Sequence, residues 1–211
     1  SKEVAEVADA LAGARDIIAE RVAESAELRG AVRQRYQDEA NVTSRRMYGK
    51  EDAPEAAKFR DYFEWSEPLK AIPSHRMLAI RRGEQEGVLI MRIDVPVERV
   101  VELALPGWVT GDGPAGQQVR QAVEDGCKRL LVPSMETEMR LASKKVADAT
   151  AIRVFADNLR ELLLASPLGR KRLLAIDPAF RTGCKTVVLD AQGTLLHHTV
   201  CFSPDYAAEF G

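Results

Sequence analysis

The spacing of apolar residues changes once along the chain, and this change constrains the fold more than any other feature. In the longer N-terminal part, apolar residues recur every three or four positions, as they do on amphipathic helices. After Pro167 and the basic run at 170–172 the period becomes two, in LLAID, KTVVLD and HHTVCFS. The pattern therefore predicts a mainly α chain, with a multi-helix region over residues 1–168 and a small β-meander of three strands over 169–211.

Two segments of the helical region carry signals other than the spacing of apolar residues. Pro54 is expected to open a helix that runs through Trp65 and ends at Pro68. Residues 88–95, VLIMRIDV, are short, bulky and β-branched, so they favour one short strand. A single strand leaves its backbone groups unpaired, and this segment must therefore have a partner elsewhere.

Composition and charge exclude several classes of protein. The formal net charge is -2 and the pI about 6.0, so there is no overall electrostatic attraction to nucleic acid or to an anionic membrane. Three cysteines without a C-x-x-C spacing argue against a disulfide framework, and no apolar run has the length of a membrane span. We expect a cytoplasmic protein with reduced thiols. Because the chain opens at Ser1 directly in a helical pattern, we also expect a fragment of a larger protein.

The stretch RLLAIDPAFRTGCKTVVLDAQGTLL, residues 172–196, contains the main candidate for chemistry. An apolar strand ends at Asp177, and a second strand returns beside it to end at Asp190. This is how the ribonuclease-H-like α/β fold begins, and its first carboxylate can bind Mg²⁺ together with other acids. Actin-like ATPases share the same pattern, with the turn against nucleotide phosphates. The fold alone therefore leaves open a fragment of a metal-dependent phosphoryl-transfer enzyme, with Asp177 as metal ligand.

Three separated segments resemble the Tex family of transcription accessory proteins. They are ARDIIAERVAESAELR at 14–29, IPSHRMLAIRRGEQEGVL at 72–89 and AIDPAFRTGCKTVVLDAQGTLL at 175–196. The resemblance implies the later part of the Tex helical region followed by the first three strands of a YqgF-like, ribonuclease-H-like domain. It also implies a cytoplasmic parent that associates with nucleic acid, RNA included, and with the transcription machinery. The family usually has glycine after Asp-Pro, where this chain has Ala179, and alanine hinders a close backbone approach to phosphate.

The candidate catalytic residue is Asp177, whose alternative role is to cap the following turn. One carboxylate cannot build a two-metal site, so we expect no enzymatic activity, no bound metal and no cofactor in this chain. The activity of the longer parent stays open. A third possibility is a helical spacer whose surface docks a protein partner.

Five basic residues are candidates for nucleic-acid contacts. Arg181 and Lys185 lie in the turn after the first C-terminal strand, where the alternative is solvated turn residues. Arg76, Arg81 and Arg82 form a second group, whose alternative is an intrachain network of hydrogen bonds to nearby carboxylates. The scattered basic residues and negative net charge predict weak or no nucleic-acid binding by this chain alone.

An open sheet edge is the last expectation from the sequence. The first strand of the meander, LLAID, is apolar and would lack a neighbour on one side. An unpaired apolar edge is a template for another strand. The candidates are the segment at 88–95 or the same edge of a second molecule, which would give a sheet-edge dimer caused by truncation.

Overall fold

The computed structural model describes residues 6–49, 54–179 and 182–202, which form two compact units. One unit is Ser1–Asp157 and the other is Asn158–Gly211. The division falls inside the long last helix, whereas the predicted boundary at 168/169 follows the end of that helix. The helices are α1 (Val7–Glu24), α2 (Ala26–Glu39), α3 (Ser74–Gln85), α4 (Val97–Trp108), α5 (Pro114–Asp125) and α6 (Val132–Leu164). The strands are β1 (Asn41–Arg46), β2 (Glu64–Pro68), β3 (Leu89–Asp94), β4 (Leu173–Asp177), β5 (Cys184–Leu189) and β6 (Leu195–Cys201).

The mainly α fold class with a C-terminal three-stranded meander is confirmed. A 3-10 helix, Pro54–Tyr62, precedes β2, and a π-helical segment, Gly126–Leu131, joins α5 to α6. In the part of the chain that the structure describes, no helix is long and apolar enough to cross a membrane.

The core of the first unit lies where α1, α2 and α6 meet the inner face of a sheet. Ser25 ends α1 and begins α2, and its hydroxyl accepts a hydrogen bond from the Leu28 amide at 3.3 Å. Val22 in α1, and Val32 and Tyr36 in α2, lie at helical spacing on the core side of their helices, and all three are completely buried. Because these side chains converge from different helices, the helical unit has one continuous hydrophobic core.

The strand predicted at 88–95 is β3, and it has the partner that its backbone groups require. The prediction of one strand in the helical region missed two others, β1 and β2. β3 pairs antiparallel with β1, and β1 pairs antiparallel with β2, in the order β2-β1-β3. The predicted helix over 54–65 stops at Tyr62, and Trp65 lies in β2 opposite Ser44. The sequence pattern did not predict β1 (NVTSRR) and β2 (EWSEP), because both are polar. One face of this sheet is open to solvent, so alternate residues are buried in β1 and only partly buried in β2.

Side chains from two helices cover the outer edge of β3. The Met91 amide donates to Glu84 Oε1 at 3.4 Å, and the Ile93 amide donates to Glu136 Oε1 at 3.4 Å. Arg140 Nη1 donates to the Met91 carbonyl. Carboxylates and a guanidinium thus take the place that a fourth strand would occupy. The segment at 88–95 is therefore not the partner of LLAID, and that part of the edge hypothesis was wrong.

The second unit contains the predicted meander. Its strands are antiparallel in the order β4-β5-β6, with Asp177 opposite Lys185 and a bulge between Val188 and Leu189. Asp190 organises the turn that joins β5 to β6. Among the described residues, β4 has a strand on one side only, so pairing of this edge with a second molecule stays a prediction.

Candidate functional site

The arginines of α3 are engaged within the chain. Arg76 Nη1 lies 2.7 Å from Glu67 Oε2, and its guanidinium carbon is 4.7 Å from the centroid of the Trp65 ring. An ion pair and a cation–π contact on the same side chain hold Arg76 against β2. Its surroundings match the alternative of an intrachain network, while its predicted contact with nucleic acid stays untested.

Arg81 and Arg140 form the centre of this network. Arg81 Nη1 donates to the Arg140 carbonyl at 3.1 Å, and Arg140 Nη2 lies 2.5 Å from Glu84 Oε2. Burial lowers the pKa of Arg81, and the neighbouring Arg140 charge adds to this shift. The Nε atom of Arg81 is buried and makes no hydrogen bond in the described part of the chain. Arg81 therefore serves the contact between α3 and α6.

Arg82 is the most accessible of the three arginines in α3, which are Arg76, Arg81 and Arg82. Its side chain is 72% exposed, and its Nε lies 3.0 Å from Glu86 Oε1, one helical turn away. Lys58 Nζ lies 2.5 Å from the other oxygen of Glu86. These two cations lower the pKa of the Glu86 carboxyl, and the hydrogen bond from Lys58 contributes most. Such exposed pairs contribute little to stability.

A cleft of about 770 Å³ lies along β1 and β2, and we call it the β1–β2 cleft. The residues that matter for its chemistry are Arg45, Arg46, Phe63 and Trp65. The guanidinium carbon of Arg46 is 5.5 Å from the centroid of the Phe63 ring. Arg45 is exposed and lies opposite Glu64 in the strand register.

Arg45 and Arg46 are adjacent on β1, so their side chains project from opposite faces of the sheet. Arg46 and the Trp65 ring make cation–π contacts within the chain, with Phe63 and Arg76. Guanidinium groups bind phosphate oxygens, and Arg45 is the candidate for such a contact at the β1–β2 cleft. Our sequence analysis missed this site, because it placed no strand at 41–46 and assigned 54–65 to a helix. The available signals were the consecutive pair Arg45-Arg46 and, separated from it by residues 47–61, a segment rich in aromatic residues, YFEW, at 62–65.

The second unit positions the other candidates. Asp177 is the last residue of β4, is exposed, and lies opposite Lys185 at the start of β5. Lys185 is exposed as well. Arg181 lies outside the described residues. Asp177 and Lys185 therefore meet at one end of the sheet, while the third candidate of this turn has no structural account.

Asp190, the second acid of the opening stretch, has a structural role. Its Oδ1 accepts hydrogen bonds from the amides of Gln192 at 2.9 Å and Thr194 at 2.8 Å. These bonds lower the pKa of the Asp190 carboxyl, with the Thr194 amide as the main cause. The arrangement is an Asx-type turn that ends at Gly193, whose φ of 84° favours glycine.

Metal chemistry needs several ligands close together. Among the residues that the structure describes, no group of three or more histidine, cysteine, aspartate or glutamate side chains could hold a metal ion. His197 and His198 are adjacent on β6, and adjacent side chains on a strand point to opposite faces. The described residues thus assemble a helical unit with engaged arginines and a three-stranded antiparallel meander.

Comparison with protein families identifies this architecture. The Tex central region-like model matches residues 1–155, and the Tex protein YqgF-like domain model matches residues 171–210. The chain therefore belongs to the Tex family, and the predicted resemblance is confirmed.

Similar proteins occur in bacteria and in mammals. The chain is 38% identical over 201 residues to Protein tex of Bordetella pertussis, covering 89% of this chain and 25% of that protein. It is 39% identical over 201 residues to the Transcriptional accessory protein Tex of Neisseria gonorrhoeae, covering 92% of this chain and 26% of that protein. It is 26% identical over 170 residues to the human S1 RNA-binding domain-containing protein 1, covering 77% of this chain and 17% of that protein. The chain thus spans about a quarter of the length of the bacterial relatives.

Proposed function

We propose that this chain is a non-catalytic scaffold segment of a cytoplasmic transcription accessory protein of the Tex type. In this proposal, nucleic acid and the transcription machinery are partners of the longer protein. The observation that carries the proposal is the match of two successive Tex models, in order, to the helical unit and to the meander. The name of the gonococcal relative supports a role in transcription, and the name of the human relative supports association with RNA.

The absence of catalysis is the first part of the proposal that can be tested. Asp177 is exposed at the end of β4 and lies opposite Lys185, and the register of the described strands places no second carboxylate beside it. We expect no nuclease and no ATPase activity in the presence of Mg²⁺ or Mn²⁺. The assay compares the wild-type chain with Asp177→Asn. Metal-dependent cleavage that is lost in Asp177→Asn would favour the alternative, a phosphoryl-transfer enzyme with Asp177 as ligand.

The nucleic-acid contact is the second part. The β1–β2 cleft supports weak binding of single-stranded RNA through Arg45, an exposed residue of its lining. Arg46 and the Trp65 ring already make cation–π contacts within the chain, with Phe63 and Arg76. One phosphate contact on a single strand corresponds to a salt slope of about -0.7. Binding is therefore expected to be weak and to fall several-fold between low and physiological salt.

Fluorescence anisotropy of a labelled oligouridine is a direct measure of this contact. Weak binding should be detectable at low salt, and Arg45→Ala should weaken it several-fold. Arg153→Ala in α6 is the matched control, because it also removes one exposed positive charge and lies outside the candidate set. Equal losses in the two variants would show general electrostatic attraction and not a site at the cleft.

A further inference from the structure

Cys184 and Cys201 lie directly opposite each other on the antiparallel strands β5 and β6. Directly opposite residues have Cα atoms about 4.5–5.5 Å apart, within the span of about 4.4–6.8 Å that a disulfide bridges. Facing residues in a ladder also project to the same side of the sheet. Both thiols are free in the structure. The register therefore provides the geometry for a cross-strand disulfide.

The sulfur of Cys201 lies on the β5 side of its own strand. The Thr186 hydroxyl is 3.7 Å from Cys201 Sγ, and Thr186 projects from the same face of β5 as Cys184, two residues earlier. A rotation about the Cα–Cβ bond of Cys201 moves this sulfur from Thr186 toward Cys184.

The backbone next to Cys184 is held close to β6. Gly183 has a φ of 73°, and a Cβ atom at this position would lie 2.8 Å from Val200 Cγ1 and from Phe202 Cε1. Only glycine allows this approach without strain. The end of the ladder where the two cysteines face each other is thus packed closely.

The two thiols are also accessible, in contrast to the third. Cys201 is exposed and Cys184 is partly exposed, whereas Cys127 is buried in the first unit. Burial raises the pKa of the Cys127 thiol to about 11, with the Glu124 charge as a second cause. Since the thiolate is the reactive form, Cys127 is an internal control for oxidation.

We propose that Cys184 and Cys201 form a reversible oxidation site that closes to a disulfide when the chain meets a peroxide. One thiolate attacks the O–O bond of hydrogen peroxide, which gives a sulfenic acid and water. The second sulfur then attacks the sulfenic sulfur, expels a second water, and the S–S bond forms. Two thiols and one peroxide thus give one disulfide and two waters. Thiol–disulfide exchange with a small thiol restores the reduced pair. This inference does not depend on the proposed role in transcription.

Thiol counting by mass spectrometry tests the proposal on the 211-residue chain. After one equivalent of hydrogen peroxide, alkylation in denaturant should label one cysteine, whereas the reduced chain should be labelled at all three. The unlabelled pair should be Cys184 and Cys201, and the mass should be lower by about 2 Da, with full recovery in dithiothreitol. Three labelled thiols after this treatment, or a bridge that includes Cys127, would overturn the proposal.

Two controls separate a folded site from general thiol oxidation. Cys127→Ser should close the same bridge, whereas Cys201→Ser should form no intramolecular disulfide. Folding holds the thiols in contact, so closure should be at least about tenfold faster in the folded chain than in concentrated urea. Equal rates in the two conditions, or disulfides only between molecules, would contradict a site built by the β5–β6 register.

Discussion

Arg140 covers the outer edge of β3, where no further strand pairs in the described part of the chain, and its removal should destabilise the helical unit. Its guanidinium donates to the Met91 carbonyl and lies 2.5 Å from Glu84 Oε2, while Glu84 itself accepts the Met91 amide. The Arg140 and Glu84 side chains are 24% and 28% exposed, so this pair is neither a surface pair nor a fully buried one. Arg140→Met retains the aliphatic part of the side chain and removes both polar interactions.

The magnitude follows from this partial burial. Breaking a fully buried pair costs about 3–5 kcal/mol, and an exposed pair contributes about 0–1 kcal/mol. For Arg140→Met we expect a loss of about 2 kcal/mol in the free energy of unfolding, because the Met91 carbonyl and the Glu84 carboxylate both lose a donor. In a unit of this size, 2 kcal/mol corresponds to a decrease in Tm of about 4–8 °C.

Urea denaturation followed by circular dichroism measures the effect. The matched control is Arg92→Met in β3, next to Met91, because the Arg92 side chain is 65% exposed and lies 3.8 Å from Glu136. That variant should change the unfolding free energy by less than about 0.5 kcal/mol. A double-mutant cycle of Arg140→Met with Glu84→Gln should show a coupling of about 1 kcal/mol. A loss in Arg140→Met no larger than in Arg92→Met, or no coupling to Glu84, would refute the edge-protection argument.

Two further predictions concern glycine positions and acid stability. Gly30→Ala in α2 meets no atom within 4 Å and should stabilise the chain by about 0.5–1 kcal/mol, whereas Gly83→Ala in α3 places its Cβ 2.5 Å from Leu89 Cδ1 and should destabilise it by about 1–2 kcal/mol in thermal unfolding. Equal Tm values for the two variants would contradict this contrast. The hydrogen bond from Arg33 lowers the pKa of Glu138, so its stabilising contribution is present above the ordinary pKa of 4.5 and is lost as the pH falls through the lowered value. The stability difference between wild type and Glu138→Gln should therefore shrink below about pH 4.5, and a constant difference down to acid pH would show that Glu138 contributes no such linkage.

The sequence predicted the second unit more accurately than the sheet of the first. LLAID, KTVVLD and HHTVCFS show a clear period of two, and each became a strand of the meander. β1 and β2 have few apolar residues, because the sheet they form buries one face only. A period of two among polar residues carries no hydrophobic signal, so local pattern could not distinguish these strands from loops or from a helix.

The sequence by itself determined the family, the mainly helical class and the change to strands, because these depend on periodicity and on contiguous segments. Tertiary structure alone decided the partners of the charged residues. Glu84 and Arg140 are 56 positions apart and meet only because α3 and α6 both pack against β3. The same holds for Arg45, Arg46 and Phe63, which share a cleft because β1 pairs with β2. Which arginine is engaged and which faces solvent is set by long-range packing, since burial and hydrogen-bond partners depend on where distant segments lie.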